Sequence, residues 1–343
     1  MKFLVIGATG FIGPYVVSQL QSRGHEVGVF GRNKWPDHGD VTSVKGDRNQ
    51  IGESKNAIAG FAPEVVVDMI LSSGRQAREL MDTVRGIAKR VVAISSADVY
   101  RACGILHDFE EGPLQPVPLT EDSQLRTKHH VYPPETIQNL KKIFGWLDDE
   151  YDKIPVERTI LSEPDLPGTV LRLPMVYGPG DRLHRFWPYL KRMDDNRPAI
   201  LIQEGVAQWR APRGYVENVA AAIALAAADD RAAGRIFNVA EPISFSEEEW
   251  AHKIAAHVGW HGEFVTLEKE RMPTHLQLPY RSEQHWTVST DRIRHELGYV
   301  EPVSENSAFE RTIAWERKNP SEVFGHAFDY AAEDQVLATL PHY

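Results

Sequence analysis

A cluster of glycines directly after a short apolar segment constrains this chain more than any other feature. Phe3-Leu4-Val5-Ile6 runs into Gly7-Ala8-Thr9-Gly10-Phe11-Ile12-Gly13, and residues 14–23 then place Val16, Val17 and Leu20 at helical spacing before Gly24. The apolar run suits a strand buried on both faces, and the spacing after it suits a helix that a glycine ends. Between them, Gly7 permits a tight turn, Gly10 leaves bare backbone for a pyrophosphate, and Gly13 lets the helix close on the strand. A helix N-terminus adds free N–H groups and a partial positive charge, and Pro14 falls where a missing N–H costs little. Gly7, Thr9, Gly10, Phe11, Ile12 and Gly13 are therefore expected to hold a dinucleotide.

The end of the second strand selects which one. An acid there would hold a ribose 2′-hydroxyl. The chain instead reads Val29-Phe30-Gly31-Arg32-Asn33-Lys34. Arg32 can pair two-pronged with a 2′-phosphate, and Lys34 adds charge nearby. The expected cofactor is NADP, with NAD the alternative. Asp47, after the third strand, either reaches an adenine amino group or caps the next helix.

Further along, strand and helix patterns alternate. Glu26–Phe30, Val41–Val44, Val65–Leu71 and Arg90–Ile94 read as strands, and Arg75–Ala88 as a helix. Such alternation predicts an α/β Rossmann fold, a doubly wound parallel sheet covered on both faces, with a smaller C-terminal substrate domain. Residues 102–134 hold five prolines and read as a long loop, followed by helix over 135–162. The expected Rossmann domain is 1–175 with a return segment at 213–242, and the remainder of 176–343 forms the substrate domain.

Charge and composition narrow the partners. The chain has 343 residues and a net charge of −10, which would not draw it to a duplex or a membrane surface. Nucleic acid and membrane are therefore not expected partners; a small-molecule substrate is, and a homodimer stays open. No apolar run approaches a membrane span, and neither a signal peptide nor a disulfide is indicated, Cys103 being the one cysteine. A cytoplasmic protein is expected. The spacing of His252, His257 and His261 does not put three ligands on one helix face, so no metal site is expected.

Three further segments carry a resemblance. Ile94-Ser95-Ser96-Ala97-Asp98-Val99-Tyr100, Leu171-Arg172-Leu173-Pro174-Met175-Val176-Tyr177-Gly178-Pro179-Gly180-Asp181 and Arg213-Gly214-Tyr215-Val216-Glu217-Asn218-Val219, with the glycine motif, resemble the extended short-chain dehydrogenase/reductase superfamily in its NAD-dependent epimerase/dehydratase branch. The resemblance implies that Ser96 takes the active-site Ser/Thr position and that Arg213 faces substrate. It implies an NAD(P)-dependent oxidoreductase, epimerase or dehydratase acting on a polar small molecule such as a sugar nucleotide.

The departure is catalytic. The family pairs Tyr and Lys four residues apart, on one helix face. Here Lys153 and Glu157 fit the Lys and following Glu positions, and the tyrosine position is Asp149. Tyr151, two residues from Lys153, would lie about 200° round a regular helix and face away, although Pro155 either kinks that helix or starts it. The expected catalytic residues are thus Ser96, Lys153 and Asp98, with the acid/base replacing tyrosine unidentified. Lys153 would hold the nicotinamide ribose, its plain alternative being an ion pair to Asp149. His184, with Arg185, and Arg213 are the expected substrate contacts. His129, His130 and Tyr132 precede the helix, and a histidine there is a further acid/base option. The missing tyrosine leaves two other classes open, a non-catalytic NADP sensor and the RNA-binding relatives that the superfamily contains.

Overall fold

The computed structural model describes residues 1–33, 35, 40–321 and 328–341. Lys34 lies outside them. Seven strands form one parallel sheet: β1 (Lys2–Ile6), β2 (Glu26–Gly31), β3 (Val41–Lys45), β4 (Val65–Asp68), β5 (Arg90–Ser96), β6 (Gly168–Leu173) and, after three strands outside it, β10 (Ile236–Asn238). Their order is β10-β6-β5-β4-β1-β2-β3. The order reverses between β1 and β4, and ligands of open α/β sheets bind beyond the carboxyl ends of the strands at such a switch point. β4 is buried at every position and β1 at all but Lys2, as the uninterrupted apolar runs require of strands covered on both faces.

Helices close the two faces. The Gly13–Ser22 helix buries Val16, Val17 and Leu20 and packs with the alanine-rich Val216–Ala228 helix. On the other face the Gly74–Val84 and Lys153–Leu161 helices pack together, Pro155 against Gly74. Two small parallel pairs lie apart from the main sheet. β7 (Met175–Tyr177) joins β9 (Arg213–Tyr215), and β8 (Ala199–Gln203) joins β11 (Glu263–Leu267).

Two expectations of local structure need correction. The span 135–162 is not one helix but two, Pro134–Ile143 and Lys153–Leu161, parted by a loop. Gly145 and the acidic run 148–150 cannot sustain the helix, and the loop's aromatic residues are used elsewhere. The span 102–134 is mostly loop, yet it opens with a buried helix, Arg101–Leu106, whose five-residue apolar run is too short to show periodicity.

Candidate active site

Beyond the carboxyl ends of β1, β2, β4 and β5 lies a cleft of about 600 Å³. Its floor is the glycine turn: Gly7, Thr9, Gly10, Phe11, Ile12 and Gly13 all line it. The turn has no room for a side chain at Gly7 or Gly13. Gly7 has φ +82°, and a Cβ on Gly13 would stand 2.5 Å from the Ala8 Cα and the Gly7 carbonyl oxygen. The helix beginning at Gly13 has no side-chain cap; Pro14 carries no N–H, and the Tyr15 and Val16 N–H groups bond the Ile12 carbonyl, so no protein carboxylate or hydroxyl occupies the helix start. These features fit the diphosphate of a dinucleotide, which needs bare backbone and N–H donors at close range.

Arg32 and Asp47, expected at the adenosine, both line the cleft. Arg32 is exposed and has no partner among the described residues. Asp47 does cap the next helix, accepting from the Asn49 N–H at 2.9 Å, and it lines the cleft as well. Arg48 was missed in the sequence. It is buried beside Asp68, Nε to Oδ2 at 2.9 Å, and donates to the Gln76 carbonyl. No periodicity marks a buried arginine at the start of so short a helix.

The opposite end gathers Ser96, Lys153, Trp146 and Phe144 on the cleft wall. Ser96 closes β5 and accepts from the Asp98 N–H at 3.2 Å. Lys153 is the first residue of its helix and is buried. Its ammonium donates to the Leu71 carbonyl and, at 3.0 Å, to the Ile94 carbonyl. Burial pushes Lys153 down to about 8. It makes no ion pair with Asp149, which is exposed and bonds Lys141 at 2.7 Å. Phe144 and Trp146 come from the loop that the sequence was expected to continue as helix; the glycine between them was the one available signal.

Tyr151 does not face away. Asp152 is extended, φ −163° and ψ 125°, and caps the helix by accepting from the Ile154 N–H. Pro155 sits in the first turn, so the helix starts here and helical geometry does not reach back to Tyr151. The Tyr151 hydroxyl instead donates to Asp98 Oδ2 at 3.1 Å, beside the Tyr132 hydroxyl at 3.0 Å on the same oxygen. Asp98 Oδ1 has no partner among the described residues. Desolvation raises the Asp98 carboxyl above its ordinary range, and it raises both phenols further.

Other expected residues lie elsewhere. The His184 ring bonds Glu316 Oε2 at 2.6 Å and stacks on Trp315, and it does not line the cleft. A left-handed φ of +44° at His184 leaves its neighbour Arg185 on the cleft wall instead, held by Asp181 at 2.8 Å. Arg213 is buried, ion-paired to Glu247 and set 4.5 Å over the Trp250 ring, so its charge is met within the protein. His129 is anchored on Asp152 at 3.1 Å, outside the cleft lining.

With this geometry in view, the comparisons are informative. Residues 7–127 match the family model described as NAD(P)H-binding, and residues 153–240 that of the NAD dependent epimerase/dehydratase family. The first part of the chain is thus similar to NAD(P)H-binding domains, and a later segment to the epimerase/dehydratase family. A chloroplast stem-loop binding protein of 41 kDa from Arabidopsis thaliana is 24% identical, the match covering 87% of this chain and 74% of that one. A Streptomyces 3-diazoavenalumate denitrifying reductase is 32% identical over a match covering 52% of this chain and 58% of its own. Among solved structures, dTDP-glucose 4,6-dehydratase from Bacillus anthracis with NAD superposes with a TM-score of 0.66 at 17% identity, over 93% of this chain and 97% of that one. UDP-glucose 4-epimerase from Thermotoga maritima with UDP-glucose gives 0.65 at 17% identity, over 94% of this chain and all of that one. These likenesses show the fold.

Proposed function

We propose that this protein is an NADP-dependent oxidoreductase of the epimerase/dehydratase type, acting on a polar small molecule. The observation that carries the reading is the meeting of the glycine turn, Arg32, Ser96 and Lys153 in one cleft. When bound, the coenzyme supplies hydride exchange at its nicotinamide. The chain's own residues do the rest. The turn and helix N-terminus hold the diphosphate, and Arg32 meets a 2′-phosphate. Lys153, fixed by two carbonyls, has its third N–H for the nicotinamide ribose. Ser96 donates to a substrate oxygen, and Asp98 is the acid/base reserve.

The sugar-nucleotide enzymes among the structural neighbours support a sugar-nucleotide substrate. The pairing of Arg213 with Glu247 weighs toward a smaller substrate without a diphosphate, because that guanidinium is already neutralised. Titration calorimetry with NADPH, NADP⁺, NADH and NAD⁺ tests the cofactor claim: heat for the phosphorylated pair at tighter affinity is expected. Heat for none of the four, or tighter uptake of the unphosphorylated pair, would refute it.

The Arabidopsis relative's name favours a second reading, stem-loop RNA binding. The net charge of −10 opposes it. Fluorescence anisotropy with a labelled RNA hairpin across a salt series decides, salt-sensitive binding at physiological ionic strength being the result in its favour.

A further inference from the structure

We propose that the Tyr151 phenol is the group that exchanges a proton with substrate in this cleft, and that Asp98 stands behind it as the positioning residue that takes up or returns the displaced proton. This rests on the oxidoreductase reading above and names the acid/base that the family motif, with Asp149 in the tyrosine position, leaves vacant.

The arrangement of the carboxyl is the first support. Two phenols crowd Oδ2 at 3.0 and 3.1 Å while the buried Oδ1 has no partner among the described residues. As an ionised carboxylate, a group so placed can take a proton at Oδ2, along the hydrogen bond from Tyr151, while no other donor claims Oδ1 among the described residues. The second support is direction. The Tyr151 ring lies 5.9 Å from the Lys153 ammonium, and Lys153 lines the cleft with Ser96. Tyr132 is instead held edge-on by Phe109 and tilted against Tyr151, with ring centres 5.6 Å apart in both contacts. Of the two phenols Tyr151 is the one set against Lys153, and both phenols and Asp98 stand behind the residues that line the cleft. The third support is the chain path: the extended Asp152 lets a residue two places before the lysine approach from outside the helix.

A motif tyrosine beside its lysine is expected to work as a tyrosinate. Tyr151 cannot, since burial and the neighbouring carboxyl hold it neutral. A relay needs no free tyrosinate. In alcohol oxidation the substrate O–H bond breaks, its proton bonds Tyr151 Oη, and the Tyr151 proton passes along its hydrogen bond to Oδ2 of the ionised Asp98, which becomes the neutral acid. The oxidised nicotinamide dinucleotide is the oxidant class that receives the carbon-bound hydrogen with its electron pair. Reduction of a carbonyl runs the same transfers backwards. Arg126, Cys103, Tyr132 and Lys153 also face Asp98, and Arg126, Asp152 and Tyr132 also face Tyr151.

The test uses the full chain labelled with carbon-13 at the tyrosine Cζ. Comparison with Y151F and Y132F identifies the two resonances; should Y151F not fold, Y132F and D98N identify them by difference. Saturation with NADP⁺ should move the Tyr151 signal more than that of Tyr132. In D98N, Tyr151 should ionise at least about one pH unit lower than in the wild type, as loss of a facing carboxylate requires, and D98E should restore it. With NADPH and 9,10-phenanthrenequinone as the carbonyl probe, Y151F should lower kcat by about a hundredfold at unchanged KM for NADPH, and Y132F by less than about tenfold. A Tyr151 signal indifferent to bound NADP⁺, or an ionisation unchanged in D98N, overturns the proposal while leaving the cofactor reading standing. A chain that takes up no NADP⁺ overturns the cofactor reading and the proposal together.

Discussion

Glu157 and Arg172 meet through two hydrogen bonds, 2.9 Å to Oε1 and 2.7 Å to Oε2, with both side chains almost wholly buried. Ser95 donates to the same carboxylate at 2.6 Å, and the guanidinium reaches the Tyr100 hydroxyl and the Glu121 carbonyl. The pair joins β5, β6 and the helix that carries Lys153, so it sets the height of the lysine over the cleft.

Breaking that pair leaves a buried charge alone. E157Q or R172M should destabilise the fold by about 3–5 kcal/mol. The double variant should recover part of the loss, because two uncharged residues leave no lone ion. Urea unfolding of the three variants measures both effects. Equal or greater loss in the double variant would contradict the account.

Gly13 has no space for a methyl. A Cβ there meets backbone at 2.5 Å on two sides. G13A should cost about 1–3 kcal/mol through overpacking and should abolish dinucleotide uptake, because the helix start is pushed off the strand. Gly24, whose Cβ would meet nothing within 4 Å, has φ +77°. G24A should lose stability through backbone strain and keep cofactor binding. Calorimetry beside a denaturation curve separates the two.

Arg32 lines the cleft and has no partner among the described residues. R32S should weaken NADPH at least about tenfold, the cost of a lost charge-assisted contact, and leave NADH nearly unchanged. A proportional loss for both dinucleotides would assign Arg32 to general charge rather than to the 2′-phosphate.

Lys153 gives a pH signature of known sign. Its folded-state value is about 8, below the ordinary 10.5. Between those values the unfolded chain binds the extra proton, so the lysine penalises the fold fully below about pH 8, and the penalty fades as pH rises toward 10.5. The change attributable to this group is about 3 kcal/mol. K153M loses two carbonyl contacts at every pH. Its stability relative to wild type should therefore fall further between pH 7.5 and 9.5, which paired urea titrations would record as a slope. A flat difference would place the lysine in a wetter site.

Local pattern made the frame readable. The strand–turn–helix at residues 3–24, the apolar runs of β4 and β5, and Ser96 at a strand end depend on neighbours in the chain, and they emerged where the sequence placed them. That the glycine turn would line a cleft was equally legible, because bare glycines and a helix start act through the backbone. Residues whose roles depend on distant partners were not. Arg213 and His184 look available in sequence, and only folding brings Glu247 and Glu316 against them.

The sequence by itself determined the doubly wound sheet and the glycine turn that opens the cleft at its switch point, since backbone sterics and hydrophobic periodicity are written locally. Tertiary structure alone decided which groups can handle protons. The approach of Tyr132 and Tyr151 to Asp98 spans separations of 34 and 53 residues, and burial there, which no linear pattern encodes, is what shifts all three groups.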